Sequence, residues 1–258
     1  MNAIADIGYG RQFDGWYDRL FPKDGAAAGV AKKLADLHPD HSTGTLEFGV
    51  GTGRIAVPLS GHAGRVTGVD SSEEMLATLR AEPGAAGVEP VHGDIRTYTS
   101  DERYGLVYCV CGTLSMLLTP EDQQLAVQRA ADLLRPGGRL VIETHNKPAI
   151  LALHEGRTRD TYFTPYPEPG TGLQTHSTLL PEGSLWLCSH IWYESDGTTR
   201  VGSEASRLTT PDEVDAYARG AGLEPEQRFA GWDESPYSEQ SAMFVSVYTK
   251  AADTKAAA

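Results

Sequence analysis

Three glycines, Gly49, Gly51 and Gly53, follow a short apolar run that also contains the acidic residue Glu47. Glycine accepts positive φ angles and has no side chain, so a ligand can approach the main chain of such a turn closely. Open α/β sheets bind cofactors at the carboxyl ends of their strands, where this turn would lie. The spacing therefore indicates a ligand-binding turn, although glycines also occur in turns that bind nothing.

Asp70 ends the next strand-like run, 21 residues after Gly49. An acidic side chain at that place can accept hydrogen bonds from both hydroxyls of a ribose. A nicotinamide dinucleotide would use the same geometry, but its turn typically reads G-x-G-x-x-G, whereas this one reads G-x-G-x-G. Glu47 would also repel a pyrophosphate, while a zwitterionic amino acid tolerates it. A Walker phosphate loop is excluded because no Gly-Lys-Ser or Gly-Lys-Thr follows.

Short segments rich in Val, Leu and Ile alternate with helical patterns, which predicts a parallel sheet covered by helices. The predicted strands are residues 45–50, 65–70, 88–92, 106–110 and 139–144, with 243–248 completing the sheet. A capping box of Ser71 and Glu74 predicts one helix start, and Thr210 with Glu213 predicts another. A helix over 121–135 is expected to end at Pro-Gly-Gly.

Residues 146–209 are too many for a simple connection between a strand and a helix. The strand-like runs 184–194 and 198–208 flank a Ser-Asp-Gly turn, and 173–180 adds a third run. We therefore expect an antiparallel β flap inserted after the fifth strand.

The chain has 258 residues and a net charge of −13, which lowers the expectation of DNA or RNA as a substrate. Its three cysteines are too few for a disulfide framework and suit a reducing compartment. No apolar run approaches the roughly twenty residues that cross a bilayer, and the first residues lack a secretory signal. We expect a cytoplasmic protein with no membrane or nucleic-acid partner.

Four blocks of sequence, residues 46–54, 66–76, 92–96 and 134–140, occur in the order typical of one family. With them the chain resembles the class I S-adenosylmethionine-dependent methyltransferases of small-molecule type. The resemblance implies S-adenosylmethionine as the cofactor and an α/β, Rossmann-like fold with a mostly parallel seven-stranded sheet. The predicted domains are an N-terminal helical lid (1–40), a cofactor-binding domain (41–145 and 210–250) and a flap over the substrate site (146–209).

The resemblance also implies roles for single residues. The predicted cofactor-binding residues are Tyr9, Glu47, Gly49, Gly51, Asp70, Ser71, Met75, Asp94, Ile95 and Cys111. Glu47 and the glycines would line the methionine part, Asp70 the ribose, and Met75 the adenine face. Asp94 and Ile95 would lie at the adenine amino group and ring, and Cys111 opens a segment that touches the cofactor in relatives. Ordinary alternatives exist, since Asp94 can cap a loop and Met75 can belong to the core.

The segment from Tyr9 to Phe21 is similar to the tyrosine-rich opening of amino-sugar and glycine-type N-methyltransferases. In those relatives it folds over the cofactor as a lid, and Tyr9 or Tyr17 would then reach the cofactor's carboxylate or the substrate. The alternative is an ordinary helix that packs Phe13, Trp16 and Tyr17 on the core.

Methyl transfer is an in-line displacement, so the site must chiefly align its reactants. A base is needed if the acceptor is an ammonium or a phenol. His145, just after the fifth predicted strand, is the first candidate, with Tyr17 as a second catalytic residue; the alternative is a hydrogen-bonded loop histidine. His176 and His190 in the flap are weaker candidates. No metal is expected, because the metal-binding residues of catechol O-methyltransferases are not recognisable.

Other functions remain open from the residues alone. The fold also serves non-methylating enzymes that use this cofactor, such as pericyclases and decarboxylases. An NAD(P)-linked oxidoreductase is disfavoured by the glycine spacing, and a pure binding module is a third alternative. We expect a small-molecule substrate, a secondary metabolite or an amino compound, and a homodimer could form through the flap.

Overall fold

The computed structural model describes residues 8–180 and 183–252. Its strands are β1 Thr45–Phe48, β2 Val66–Asp70, β3 Val88–His92, β4 Tyr104–Cys109, β5 Leu134–His145, β6 Arg159–Pro165, β7 Gly172–Leu179, β8 Leu185–Tyr193, β9 Thr199–Arg207, β10 Leu223–Phe229 and β11 Met243–Lys250. Its α-helices are α1 Tyr9–Gln12, α2 Tyr17–Leu20, α3 Gly25–Leu37, α4 Ala56–Ala63, α5 Glu73–Ala81, α6 Pro120–Leu133, α7 Lys147–His154 and α8 Pro211–Gly220. Within the two described ranges, no helix has the length and apolar character needed to cross a membrane.

Seven strands form one sheet in the order β10-β11-β5-β4-β1-β2-β3. The pairs among β1 to β5 are parallel, and β11 is antiparallel to both of its neighbours. β1 and β4 are buried along their whole length, as expected for central strands of a sheet covered on both faces. The predicted Rossmann-like, mostly parallel seven-stranded sheet is confirmed, and the carboxyl ends of β1 to β5 lie at one edge.

Helices cover both faces of this sheet. Leu34 of α3, Leu59 of α4 and Leu76 of α5 belong to the core on one face. Ala130 of α6 and Val214 of α8 belong to the core on the other. α3 lies within the range predicted as the lid and packs on α4.

The helix starts are partly as predicted. The cap expected at Ser71 is wrong by one residue, because the Oγ atom of Ser72 accepts the hydrogen bond of Met75 N–H. Asp70 accepts a hydrogen bond from Ser72 N–H, which holds Ser72 in the cap position. The capping box at Thr210 is confirmed.

The helix predicted over 121–135 ends two residues earlier than expected, so that boundary is wrong. Leu134 has an extended backbone and pairs with Tyr104. The Pro-Gly-Gly sequence that follows is therefore part of β5, at a register shift opposite β4.

The inserted segment forms a second, antiparallel sheet in the order β6-β7-β8-β9, which confirms the predicted flap. β6 is a strand that the sequence did not predict, because nearly all of its residues are exposed and show no alternation. Asn146 ties the base of the flap to the main sheet: its backbone bridges to Thr209, and its side chain donates to the carbonyl of Ser241 at 2.8 Å.

Candidate active site

A cavity of about 400 Å³ lies at the carboxyl edge of the main sheet, lined also by the flap and the N-terminal helices. The predicted cofactor-binding residues and the two first catalytic candidates all line it: Tyr9, Tyr17, Glu47, Gly49, Gly51, Asp70, Ser71, Met75, Asp94, Ile95, Cys111 and His145. Asp70 ends β2 and His145 ends β5, and the sheet places β1 and β4 between them. At the usual strand spacing these ends are about 14 Å apart.

The glycine turn is joined to β2 through Gly51. A Cβ atom at Gly51 would meet no atom within 4 Å, so the turn presents open main chain to the cavity. Gly51 N–H donates to Oδ2 of Asp70 at 2.8 Å, and Ser72 N–H donates to Oδ1 at 2.9 Å. These bonds fix the plane of the carboxylate, and each carboxylate oxygen can accept more than one hydrogen bond. Asp70 is thus oriented by the backbone toward a ligand.

Asp94 follows β3 and forms an ion pair with Arg96. The backbone N–H of Arg96 donates to Oδ1 of Asp94 at 2.9 Å, and its guanidinium also donates to Asp122 at 2.8 Å. Arg96 therefore holds the Asp94 carboxylate at the cavity wall, next to the buried Ile95.

Glu47 is buried on β1 and accepts a hydrogen bond from the hydroxyl of Tyr108 at 2.7 Å. Burial raises the pKa of Glu47 well above its ordinary value, against the effect of that hydrogen bond. Arg54 also lines the cavity, and its buried Nε has no hydrogen-bond partner in residues 8–180 and 183–252. Because an unpaired buried donor costs free energy, Arg54 points to an acceptor group on a ligand.

His145 lies at the other end of the cavity. Burial lowers the pKa of its ring below the ordinary histidine value, while the carboxylate of Glu204 acts in the opposite direction. The ring is therefore neutral at pH 7 and can accept a proton. It packs edge-on against Trp186, with the ring centroids 5.1 Å apart.

Cys111 and Glu143 form the cavity wall between β4 and β5. Cys111 has a positive φ of 56°, and its N–H donates to Glu143 at 2.8 Å. The indole N–H of Trp232 donates to the other oxygen of Glu143 at 2.6 Å. Desolvation raises the pKa of the Cys111 thiol to about 12, so the residue is a neutral thiol at pH 7.

The N-terminal helices α1 and α2 contribute Tyr9 and Tyr17 to the cavity wall. Burial raises the pKa of both tyrosine hydroxyls, so they are neutral. Phe13 stacks on Tyr9 with centroids 4.3 Å apart and meets Trp192 of the flap edge-on at 5.7 Å. The N-terminal helices therefore pack their apolar side chains on the flap and also contact the cavity. The two arrangements considered from the sequence occur together.

A methyltransferase domain model matches residues 45–138 of this chain. The CcbJ methyltransferase from Streptomyces caelestis is 30% identical and superposes with a TM-score of 0.85, covering 95% of this chain and 98% of that one. The chain belongs to the class I S-adenosylmethionine-dependent methyltransferases.

Two further relatives of this methyltransferase show the shared fold or a match to part of the chain. CalS10, an amino pentose methyltransferase from Micromonospora echinaspora, is 22% identical with a TM-score of 0.69, covering 91% of this chain and 96% of that one, and it shows the shared fold. The phosphatidylethanolamine N-methyltransferase from Cereibacter sphaeroides is 36% identical over 106 residues, which cover 39% of this chain and 49% of that protein. The chain spans about half the length of the curated relatives it matches.

The cofactor of this methyltransferase is S-adenosylmethionine, and the cavity suits it. The carboxylate of Asp70 suits the hydroxyls of a ribose. The unpaired Nε of Arg54 suits the carboxylate of the amino-acid part, and its guanidinium lies close enough to Glu47 to oppose the rise in the pKa of that residue. The open side of Gly51 leaves room for the ligand beside the main chain.

Arg54, Glu143 and Glu204 are among the cavity residues that were not assigned from sequence. Arg54 is the last residue of the glycine motif, and this position is the feature of the sequence that could have identified it as a cavity residue. Glu204 lies on the flap, and no local pattern marks it. The weaker candidates His176 and His190 do not line the cavity. Among the described residues, no group of three His, Cys, Asp or Glu side chains could hold a metal ion.

Proposed function

We propose that this methyltransferase transfers the methyl group of S-adenosylmethionine to a small-molecule amino compound of secondary metabolism. The proposal is carried by one observation: the neutral His145 and the residues that suit the cofactor line one cavity. The names of structural neighbours support an amino acceptor, because CalS10 is described as an amino pentose methyltransferase and KedS8 as a sugar N-methyltransferase.

When bound, S-adenosylmethionine supplies a methyl group on a positively charged sulfur. Asp70 would bind the ribose hydroxyls, with Ser71 beside it, and Met75 with Ile95 would pack against the adenine. Asp94, held by Arg96, would accept from the adenine amino group.

Glu47, Gly49, Gly51, Cys111 and Arg54 line the cavity and would surround the amino-acid part of the cofactor. Of these, Arg54 carries the positive charge that a carboxylate requires. Desolvation strengthens this pairing, since charge interactions are stronger where water is excluded.

We assign removal of the acceptor's proton to His145. Its ring is neutral and can take up a proton, and it lies at the end of the cavity away from Asp70. Tyr9 and Tyr17 of the N-terminal helices α1 and α2 would enclose the reacting groups from one side, and Glu204 and Ser206 of the flap would exclude water from the other. A homodimer through the flap and a cytoplasmic location also remain predictions. Sedimentation velocity of the purified protein tests whether it forms a dimer.

Thermal unfolding with S-adenosylhomocysteine tests the cofactor site. The ligand should raise the melting temperature of the wild type, and Asp70→Asn should lose at least about tenfold in affinity through the lost charge-assisted hydrogen bonds. Asp101→Asn, at an exposed aspartate outside the cavity, is the matched control and should bind as the wild type does. If S-adenosylhomocysteine does not raise the melting temperature of the wild type, the proposal is wrong.

Transfer of a labelled methyl group to a panel of amines, phenols and sugars tests the reaction. A methylated amine supports the proposal. Cofactor binding with no methylated product from any class would favour a non-methylating enzyme instead.

A further inference from the structure

Glu204 enters the cavity from the flap rather than from the main sheet. It lies on β9 and lines the cavity together with Ser206. Its side chain is 26% exposed, and Oε1 lies 3.4 Å from Nε2 of His190. The other ring nitrogen of His190 lies 3.0 Å from Oγ1 of Thr175. The carboxylate is thus supported from behind by a histidine that is itself held in place.

Glu204 lies at the end of the cavity that holds His145. Its negative charge opposes the lowering of the His145 pKa by burial, and it adds to the rise that burial causes in the pKa of Tyr9, so it lies close to both groups. The other carboxylate at this end, Glu143, already accepts from Cys111 and Trp232. Glu204 therefore places a negative charge from the flap at the end of the cavity where the methyl acceptor would bind.

The positive charges of the cavity lie elsewhere. Among the described residues that line it, Arg54 and Arg96 are the only permanent cations. Arg96 is paired with Asp94 and Asp122, and Arg54 lies near Glu47. A cationic group on a ligand would therefore meet Glu204 without competition from either guanidinium.

We infer that Glu204 selects acceptors that carry an ammonium group, by accepting its N–H hydrogen bonds and holding the nitrogen beside His145. This inference rests on the proposed function and names the residue that sets its acceptor class. Charge-assisted hydrogen bonds are about twice as strong as neutral ones, so an ammonium is favoured over a phenol or an alcohol of similar shape.

The reaction balances with one proton released. The ammonium R–NH₃⁺ gives a proton to the neutral ring of His145, which leaves a lone pair on nitrogen. That lone pair forms the N–CH₃ bond, while the C–S bond breaks and its electron pair stays on sulfur. The product is R–NH₂⁺–CH₃, and the proton on His145 passes to solvent. Glu204 forms and breaks no covalent bond, and it acts through its charge and the hydrogen bonds that it accepts.

Sinefungin is a probe for this site that needs no knowledge of the acceptor. It is the cofactor analogue in which a carbon bearing an ammonium group replaces the methylated sulfur. We expect Glu204→Gln to weaken sinefungin binding by about tenfold or more, because the acceptor of the ammonium's hydrogen bonds loses its negative charge. S-adenosylhomocysteine, which lacks that ammonium, should bind the variant within about twofold of the wild type. Both affinities can be measured by isothermal titration calorimetry.

Glu168→Gln, at an exposed glutamate of the flap outside the cavity, is the matched control and should change neither affinity. Equal weakening of both ligands in Glu204→Gln, or no change in either, would overturn the inference. Binding of S-adenosylhomocysteine to the wild type is the separate check on the proposed function, so the two failures are distinguishable.

Discussion

At the scale of single residues, the side chains at the cavity wall are fixed by neighbours that the backbone supplies. Asp70 receives the N–H groups of Gly51 and Ser72, and Glu143 receives the N–H of Cys111. Because these hydrogen bonds already hold the carboxylates in place, little reorganisation is needed when a ligand binds. We therefore expect alignment of the reactants to be the main source of the rate enhancement in this site.

His145→Asn should lower kcat for methylation of an amine by about a hundredfold or more, the usual worth of a general base. Binding of S-adenosylhomocysteine should be unchanged, because Asp70 lies three strands away. His62→Asn, at an exposed histidine of α4, is the control. Initial rates at saturating substrate give the result, and a loss of less than about fivefold would contradict the role of His145.

At the scale of elements, the lid helix α1 packs on the start of α5. A Cβ atom at Gly10 would lie 1.9 Å from Oγ of Ser72, so this contact depends on the absence of a side chain. α1 is also tied to the flap, where Gln12 accepts the N–H of Ser203 at 2.9 Å. The lid therefore joins the cofactor-binding end of the sheet to the flap.

Gly10→Ala should displace α1, weaken binding of S-adenosylhomocysteine severalfold and speed proteolysis near the N-terminus. Gly29→Ala is the control, because a Cβ atom there meets nothing within 4 Å and alanine favours the helix by roughly 0.5–1 kcal/mol. Calorimetric titration and timed trypsin digestion measure the two effects. Unchanged affinity and digestion would show that the contact does not hold the lid.

At the scale of the whole molecule, a buried histidine links stability to pH. His38 follows α3 and packs against β4, where a Cβ atom at Gly105 would lie 2.6 Å from its ring. Burial, and then the nearby His41, lowers the pKa of His38 to about 4. Its Nε2 has no hydrogen-bond partner among the described residues, so a charged ring is poorly accommodated.

The free energy of unfolding should fall as the pH drops from about 6.5 to about 4. In this range His38 binds a proton in the unfolded chain and stays neutral in the folded chain. The full effect of His38 is about 3 kcal/mol. Urea unfolding at several pH values should show a shallower fall for His38→Gln, while the exposed control His62→Gln should follow the wild type. Parallel curves for all three proteins would contradict this linkage.

The sequence predicted the features that local spacing encodes. The buried strands, the turn at Gly51 and the capping box at Thr210 follow from short patterns, and the structure has them. β10 was not located, because within it only Leu223 is buried and its other residues are mostly polar. The end of the helix before β5 was misplaced, because pairing of Leu134 with β4 overrides the local Pro-Gly-Gly signal.

The sequence by itself determined the family and the cofactor, because each motif is a short run of neighbouring residues and the motifs follow one another in a fixed order. The tertiary structure alone decided that Glu204, 59 residues beyond His145, shares a cavity with it, and that Gly10 fits against Ser72. Contacts of this kind form only when separate sheets and helices dock. Their partners are set by packing in space, and no spacing in the sequence records them.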